Sequence, residues 1–198
     1  MSKTESKAPP AAENALHRVK ELTAAVKELI RDAQGKGDFS HPVRGIMKES
    51  PATCTPGDTL HHAAAILWQT DCGMVPVVEG DGRLVGVITD RDICMASYFR
   101  GQPVAAIDVG GTMSKTLHTA KPDDTIETVV HLMAEKQTRR IPIVENDRLV
   151  GIVALADIAR HVKTLESSSA CRALAHTLAA ISGRRSEAAT PITSQAAE

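Results

Sequence analysis

Aromatic side chains are nearly missing from this chain: Trp68, Tyr98, Phe39 and Phe99 are the whole complement in 198 residues. Single-stranded nucleic-acid binders stack bases on ring platforms, and this composition cannot build one. An excess of one charge is missing too. With 23 basic residues against 24 acidic ones and a net charge of −1, no general field draws the chain to nucleic acid or to an anionic membrane. No apolar run reaches the ~20 residues that a bilayer-spanning helix requires. Met1-Ser2-Lys3-Thr4-Glu5 opens no signal peptide. The expectation is a soluble cytoplasmic protein with neither membrane nor nucleic acid as partner.

Paired cysteines are also lacking. Cys54, Cys72, Cys94 and Cys171 show no CxxC and no metal-ligand spacing, and they read as reduced structural thiols, with a Cys54–Cys72 bridge left open. The eight histidines are scattered, and the adjacent pair His61-His62 diverges on a helix. Asp90 and Asp92 stand at i and i+2 and so do not share a helix face. No set of residues assembles a nucleophile, an acid–base pair or a metal site. The chain is therefore expected not to be an enzyme, and to hold no metal and no cofactor.

What is present is a repeat. Gly73 to Cys94 reads as strand, tight turn, strand and helix start: Val75, Val77 and Val78 supply β-branched residues, and Glu79-Gly80-Asp81-Gly82 supplies a turn tolerant of positive φ. Leu84 to Ile88 is a second apolar run, after which Thr89 or Asp90 can cap a helix. The pattern returns from Arg140 to Ile158. Pro76 falls on Pro142, Met47 on Met113 and Asp58-Thr59 on Asp124-Thr125 at an offset of 66, and Gly86 falls on Gly151 at 65 because the second turn is one residue shorter. Such an ordered series fixes the architecture before any single motif does.

Each copy adds a helix ahead of its strands. Leu60, Ala63, Ala64 and Leu67 in the first, and Ile126, Val129, Val130 and Met133 in the second, form apolar stripes at helical spacing, with Asp58 and Asp124 as expected caps and Glu127 completing a capping box. A short strand is expected around Ala52-Thr53-Cys54. Each unit is thus strand, helix, strand, strand, helix, and the fold class is α+β. Outside the repeats, Ala15, Val19, Leu22, Val26, Leu29 and Ala33 are spaced as a heptad seam, which packs on the body or on a dimer mate, or stands as a free zipper. A C-terminal helix from Ala170 to Ile181 is expected to use Leu174, Leu178 and Ile181 as its apolar face. The organisation expected is disordered 1–12, N-terminal helix 13–38, repeats 43–99 and 112–166 around a connector 100–111, C-terminal helix 167–183 and a disordered tail 184–198.

The Pro76-Val77-Val78 and Pro142-Ile143-Val144 strands, with Gly86 to Asp92 and Gly151 to Asp157, resemble a tandem of CBS domains, the cystathionine-β-synthase-type repeat or Bateman module. The resemblance covers about Val43 to Val162. It implies two βαββα units packed about a pseudo-twofold axis, clefts between them, and frequent pairing into a four-domain disc. It also implies a regulatory module that binds an adenosine-containing ligand (AMP, ADP, ATP or S-adenosylmethionine) and signals to an effector protein in trans. The alternative is a ligand-free homodimeric interaction scaffold. A homodimer is expected in either case.

In that family a Gly-x-x-Thr/Ser-x-x-Asp segment holds the ribose. Gly86, Thr89 and Asp92 match it, and a carboxylate that accepts from both vicinal hydroxyls makes the stronger, charge-assisted kind of bond. In the second copy Gly151 and Asp157 are present but Ala154 replaces the hydroxyl residue. That cleft is either degenerate or binds through Asp157 alone. The resemblance places phosphate-contacting bases at Arg139 and Arg140, and puts adenine against Ile88, Met113 and Ile141. The phosphate-cradling GxxxxGK[ST] loop is missing, so a nucleotide would be sensed without being hydrolysed.

Overall fold

The computed structural model describes residues 39–165 and 168–182, with Ala24 alone upstream. The heptad seam, both expected disordered ends and Ser167 lie outside the described residues. The elements run β1 (Lys48–Glu49), α1 (Leu60–Gln69), β2 (Val75–Val78), β3 (Leu84–Ile88), α2 (Asp90–Arg100), α3 (Ile126–Lys136), β4 (Arg140–Glu145), β5 (Arg148–Ala154), α4 (Leu155–Leu165) and α5 (Ser168–Ser182). Mixed helix and sheet in two matched units is the α+β architecture expected from the repeat.

Unit one is built on the antiparallel pair β2–β3, and unit two on the three-stranded order β1-β5-β4. Alternate residues of β3 are buried, as a half-covered strand requires. Two hydrophobic clusters result. Leu60, Ala63, Val75, Val77 and Ile88 anchor one, and Ile126, Val130, Met133, Ile141 and Ile158 anchor the other. Cys54 and Ala120, which fall on one another at the offset of 66, are matched in the fold as well: each makes a lone parallel bridge, to Val77 and Ile143 respectively. Cys54 is 2% exposed, and burial pushes its thiol up to about 11. All four cysteines are free thiols.

The first residues of each repeat do not stay with the repeat they introduce. β1 pairs with β5, Lys48 opposite Ile152 and Glu49 opposite Gly151. Just upstream, Val43 N–H donates to Asp124 O at 2.8 Å and Ile126 N–H donates to His41 O at 2.9 Å. Reciprocally, Ser114 and Val87 exchange two backbone bonds, and Val109 N–H donates to Asp58 O. Each lead-in is thus an edge for the other unit's sheet. This requires two glycines. A Cβ on Gly86 would collide with Met113 and come within 3.2 Å of Ser114 O, and one on Gly151 would lie 2.7 Å from Met47 Sδ. The hairpin tips complete the contact between units, where Leu84 N–H donates to Asp147 O at 3.3 Å and Leu149 N–H to Gly82 O at 3.1 Å.

Three sequence expectations are corrected. Thr59 and Thr125, not Asp58 and Asp124, cap α1 and α3: their hydroxyls accept from His62 and Thr128 N–H, and Glu127 closes no box. Asp58 and Asp124 act one step earlier, accepting from Thr55 and Lys121 N–H. The short strand ahead of α1 lies at Lys48–Glu49, and Cys54 makes only a bridge. On α5 Leu174 and Ile181 pack against the core of unit two as expected, but Leu178 is 50% exposed and the fully buried residues are Ala170, Ala173, Thr177 and Ala180. The small side chains win that face because α5 lies close along α3, where Gln137 Nε2 donates to Ala180 O at 3.2 Å.

Candidate ligand-binding site

Thr89 ends β3 in extended backbone and caps α2. Its N–H and its hydroxyl both donate to Asp92 Oδ2, at 2.9 and 2.7 Å, while Asp92 N–H donates back to Thr89 Oγ1 at 3.3 Å. This capping box fixes the carboxylate through one oxygen. Among the described residues nothing donates to Asp92 Oδ1. Asp92 is half-buried and lines a cavity of about 310 Å³ with Met95, Phe99 and Arg100 on one side and Gly111 and Thr112 on the other. Arg100 Nη2 donates to Gly111 O at 2.8 Å, which holds the loop over the helix.

The matched position in unit two is arranged differently. Asp157 Oδ2 accepts from Ala154 N–H at 2.7 Å, as Asp92 does from Thr89. Its other oxygen is taken by the Arg160 guanidinium, and Ala154 offers no hydroxyl. Nearby is a larger cavity, about 430 Å³, lined by Ala154, Leu155 and Ala156 together with Arg139 and Arg140. Gly73 and Asp90 reach it from unit one, and Leu174 and Leu178 from α5. Gly73 is the counterpart of Arg139 and leaves room for Arg140: a Cβ there would sit 3.1 Å from both guanidinium nitrogens.

Thr89 and Asp92 are therefore brought together, and so are Arg139 and Arg140, but Asp92 lines one cavity and the two arginines another. Met113 is half-buried and its sulfur lies over Gly86. Ile88 and Ile141 are fully buried, one in each core cluster, and line neither cavity. The sequence reading missed Leu174, Leu178, Phe99 and Arg100. The repeat contains no counterpart of α5, so no motif could have pointed to the leucines. Phe99 and Arg100 could have been suspected from their place two turns after Asp92. Among the described residues no group of three His, Cys, Asp or Glu could hold a metal ion, and no helix is long and apolar enough to cross a membrane.

Comparison with known proteins places this geometry. The model of the CBS domain matches twice, at residues 43–98 and 105–164. The chain is 39% identical over 126 residues to the CBS domain-containing protein YhcV of Bacillus subtilis, covering 64% of this chain and 89% of that one. It is 34% identical over 119 residues to hypoxic response protein 1 of Mycobacterium tuberculosis, covering 60% and 83%. Among solved structures, that of hypoxic response protein I with two coordinated zinc ions superimposes with a TM-score of 0.56 at 33% identity, over 61% of this chain and 98% of that one. The CBS domain pair of protein MJ0100, in complex with 5′-methylthioadenosine and S-adenosyl-L-methionine, gives 0.57 at 28% identity, over 63% and 98%.

Proposed function

The chain belongs to the CBS domain family, and from that premise we propose that it is a sensor that binds an adenosine-containing ligand between its units and reports occupancy to a partner protein in trans. The observation that carries this reading is the Asp92 carboxylate, fixed through one oxygen by Thr89, with the other met by no donor among the described residues. A ribose supplies the donors such an acceptor lacks, and the Thr89 hydroxyl can turn from Asp92 to a ligand oxygen. The likeness to a pair that holds two sulfur-bearing adenosine ligands, one a thioether and one a sulfonium, supports the ligand class. Arg139 and Arg140 are assigned to the anionic end of a phosphorylated ligand, in the cavity beside Ala154. Signalling is assigned to the cavity beside Ala154, which residues of both units line: a ligand part held there by groups of both favours one relative orientation of them, and can shift the equilibrium only by that difference in affinity.

The two clefts are assigned unequal affinity. At Asp157 both carboxylate oxygens are engaged and one hydroxyl is gone, and a lost hydrogen bond of this kind costs about 0.5–1.5 kcal/mol, or roughly two- to tenfold in affinity. Calorimetry with 5′-methylthioadenosine, S-adenosylmethionine, AMP and ATP tests it. We expect one tight site per chain, abolished by Asp92→Ala and little changed by Asp157→Ala. Two equal sites, or tight binding that survives Asp92→Ala, would place the site elsewhere. No heat and no thermal shift with any of the four would leave the scaffold reading in its place, since a ligand at 100 times its Kd adds about 2.7 kcal/mol to stability.

A further inference from the structure

The two repeats distribute polarity in opposite ways around the start of their second helix. In unit one the strand opens on Gly73-Met74, without charge, and the helix opens on the polar run Thr89-Asp90-Arg91. The matched residues of unit two are Arg139-Arg140, at the offset of 66, and Ala154-Leu155-Ala156, at 65. Only the second copy therefore joins paired cations to an apolar helix start, and all five residues line the cavity of about 430 Å³. A further wall comes from outside the repeat. Leu174 and Leu178 line the same space from α5, which lies beyond residue 164, where the second CBS match ends. Leu155 and Leu174 also rest on the core of unit two, but Leu178, 50% exposed, is no part of that cluster. Among the described residues no carboxylate pairs with Arg139 or Arg140. Asp90 is the single acid on the lining, so two permanent guanidinium charges face one carboxylate.

We propose that the cavity beside Ala154 is a site for a small free amphiphile, a single phosphate head joined to an apolar chain, with the head on Arg139 and Arg140 and the chain along Leu178. The proposal shares with the reading above the assignment of an anion to the two arginines. It takes nothing from Asp92, which lines the other cavity. Two neighbouring guanidinium forks suit the several oxygens of a phosphate, whereas one fork already satisfies a carboxylate. Asp90 sets the limit on charge, because each further phosphate would add repulsion against it. The α5 wall sets the second half of the chemistry. A bare phosphate or a polyphosphate leaves Leu178 in water, and an apolar chain covers it together with Ala154 and Ala156. The cavity volume lies in the range of about 300–1,000 Å³ usual for small-molecule sites. Because the head sits beside Gly73 and Asp90 of unit one while the chain touches α5, such a ligand also ties the C-terminal helix to the cleft.

Calorimetry on the unaltered chain compares inorganic phosphate with butyl, hexyl and octyl phosphate, each below the concentration at which it forms micelles. Affinity should rise roughly fourfold per methylene that the cavity covers and level off once the chain outgrows it. Leu178→Ser should weaken the octyl ester by roughly three- to tenfold and leave inorganic phosphate unchanged, with the melting temperature unaltered because the residue is half exposed. Arg139→Gln, also at an exposed position, should weaken every ester by roughly tenfold or more whatever its chain. Equal affinity for all chain lengths, or an octyl ester indifferent to Leu178→Ser, would overturn the proposal and leave a plain anion site. Sedimentation with phosphatidate vesicles, without binding of the free esters, would overturn it in favour of a membrane. A parallel titration with 5′-methylthioadenosine, which has no phosphate, separates this site from the adenosine reading. A chain-length trend without adenosine heat keeps the amphiphile site and removes the other, and adenosine heat without the trend does the reverse.

Discussion

Gly86 and Gly151 stand inside the matched Gly-to-Asp segment of each repeat, and their neighbours give them a packing task. Met113 and Ser114 lie against the first, Met47 and Lys48 against the second, so each glycine is the seat on which the other repeat's lead-in rests. Gly86→Ala is expected to destabilise the protein by about 1–3 kcal/mol, the usual cost of overpacking. Met113→Ala in that background should recover part of the loss, because the thioether is the mobile half of the clash and the paired Ser114 backbone is not. Urea denaturation of the four proteins of this double-mutant cycle measures it. Simple additivity would show that the two residues do not press on one another. Thr89 and Asp92 divide their work similarly: the capping box holds the helix start and aims the carboxylate in one arrangement. Sequence spacing can find such residues but cannot separate the capping duty from the proposed ribose-binding one, since both would use the same acid at the same place in the chain.

At the scale of the element, the repeat made α1 to α4 and their strands legible, because apolar period and turn chemistry are local. The caps were misread by one residue. Asp and Thr are both good caps, and only the backbone turn at Thr55–Asp58 shows that Asp58 is already engaged. On α5 the expected face failed at Leu178 and overlooked the small buried residues, for a deeper reason. Leucines weigh most in a hydrophobic pattern, but close helix approach selects for small residues, and proximity to α3 is a tertiary fact. Leu174 and Leu178 are left to form a cavity wall beside Arg139 and Arg140. Ala173→Leu should therefore lift α5, costing about 1–3 kcal/mol of stability and raising amide exchange along residues 170–182. A variant as stable as the parent, with unchanged exchange, would mean that the α5 contact is looser than its burial implies.

For the whole molecule, sequence order suggested two units in series, and no local signal reveals that their first residues change places. Lead-in and sheet meet across about a hundred residues of chain, Lys48 with Ile152, and pairing over such a distance has no signature in a window of fifteen. The result is that residues 51–114 sit as an insertion within unit two, whose parts come from either side. This gives the chain an unequal response to force. Tension applied at its two ends enters through the lead-in at Val43 and leaves through α4 and α5, so it runs through unit two and bypasses unit one. Stretched in an optical trap, unit two should yield first. Only then should unit one come under load, adding a separate length of roughly 210–230 Å for its extended chain. A trace in which that length appears before unit two gives way would show that the load reaches unit one directly. In such a pull the cavity at Asp92 is sheltered and the cavity beside Ala154 is strained first, so a ligand held at Asp92, as proposed, would be released only after unit two has yielded.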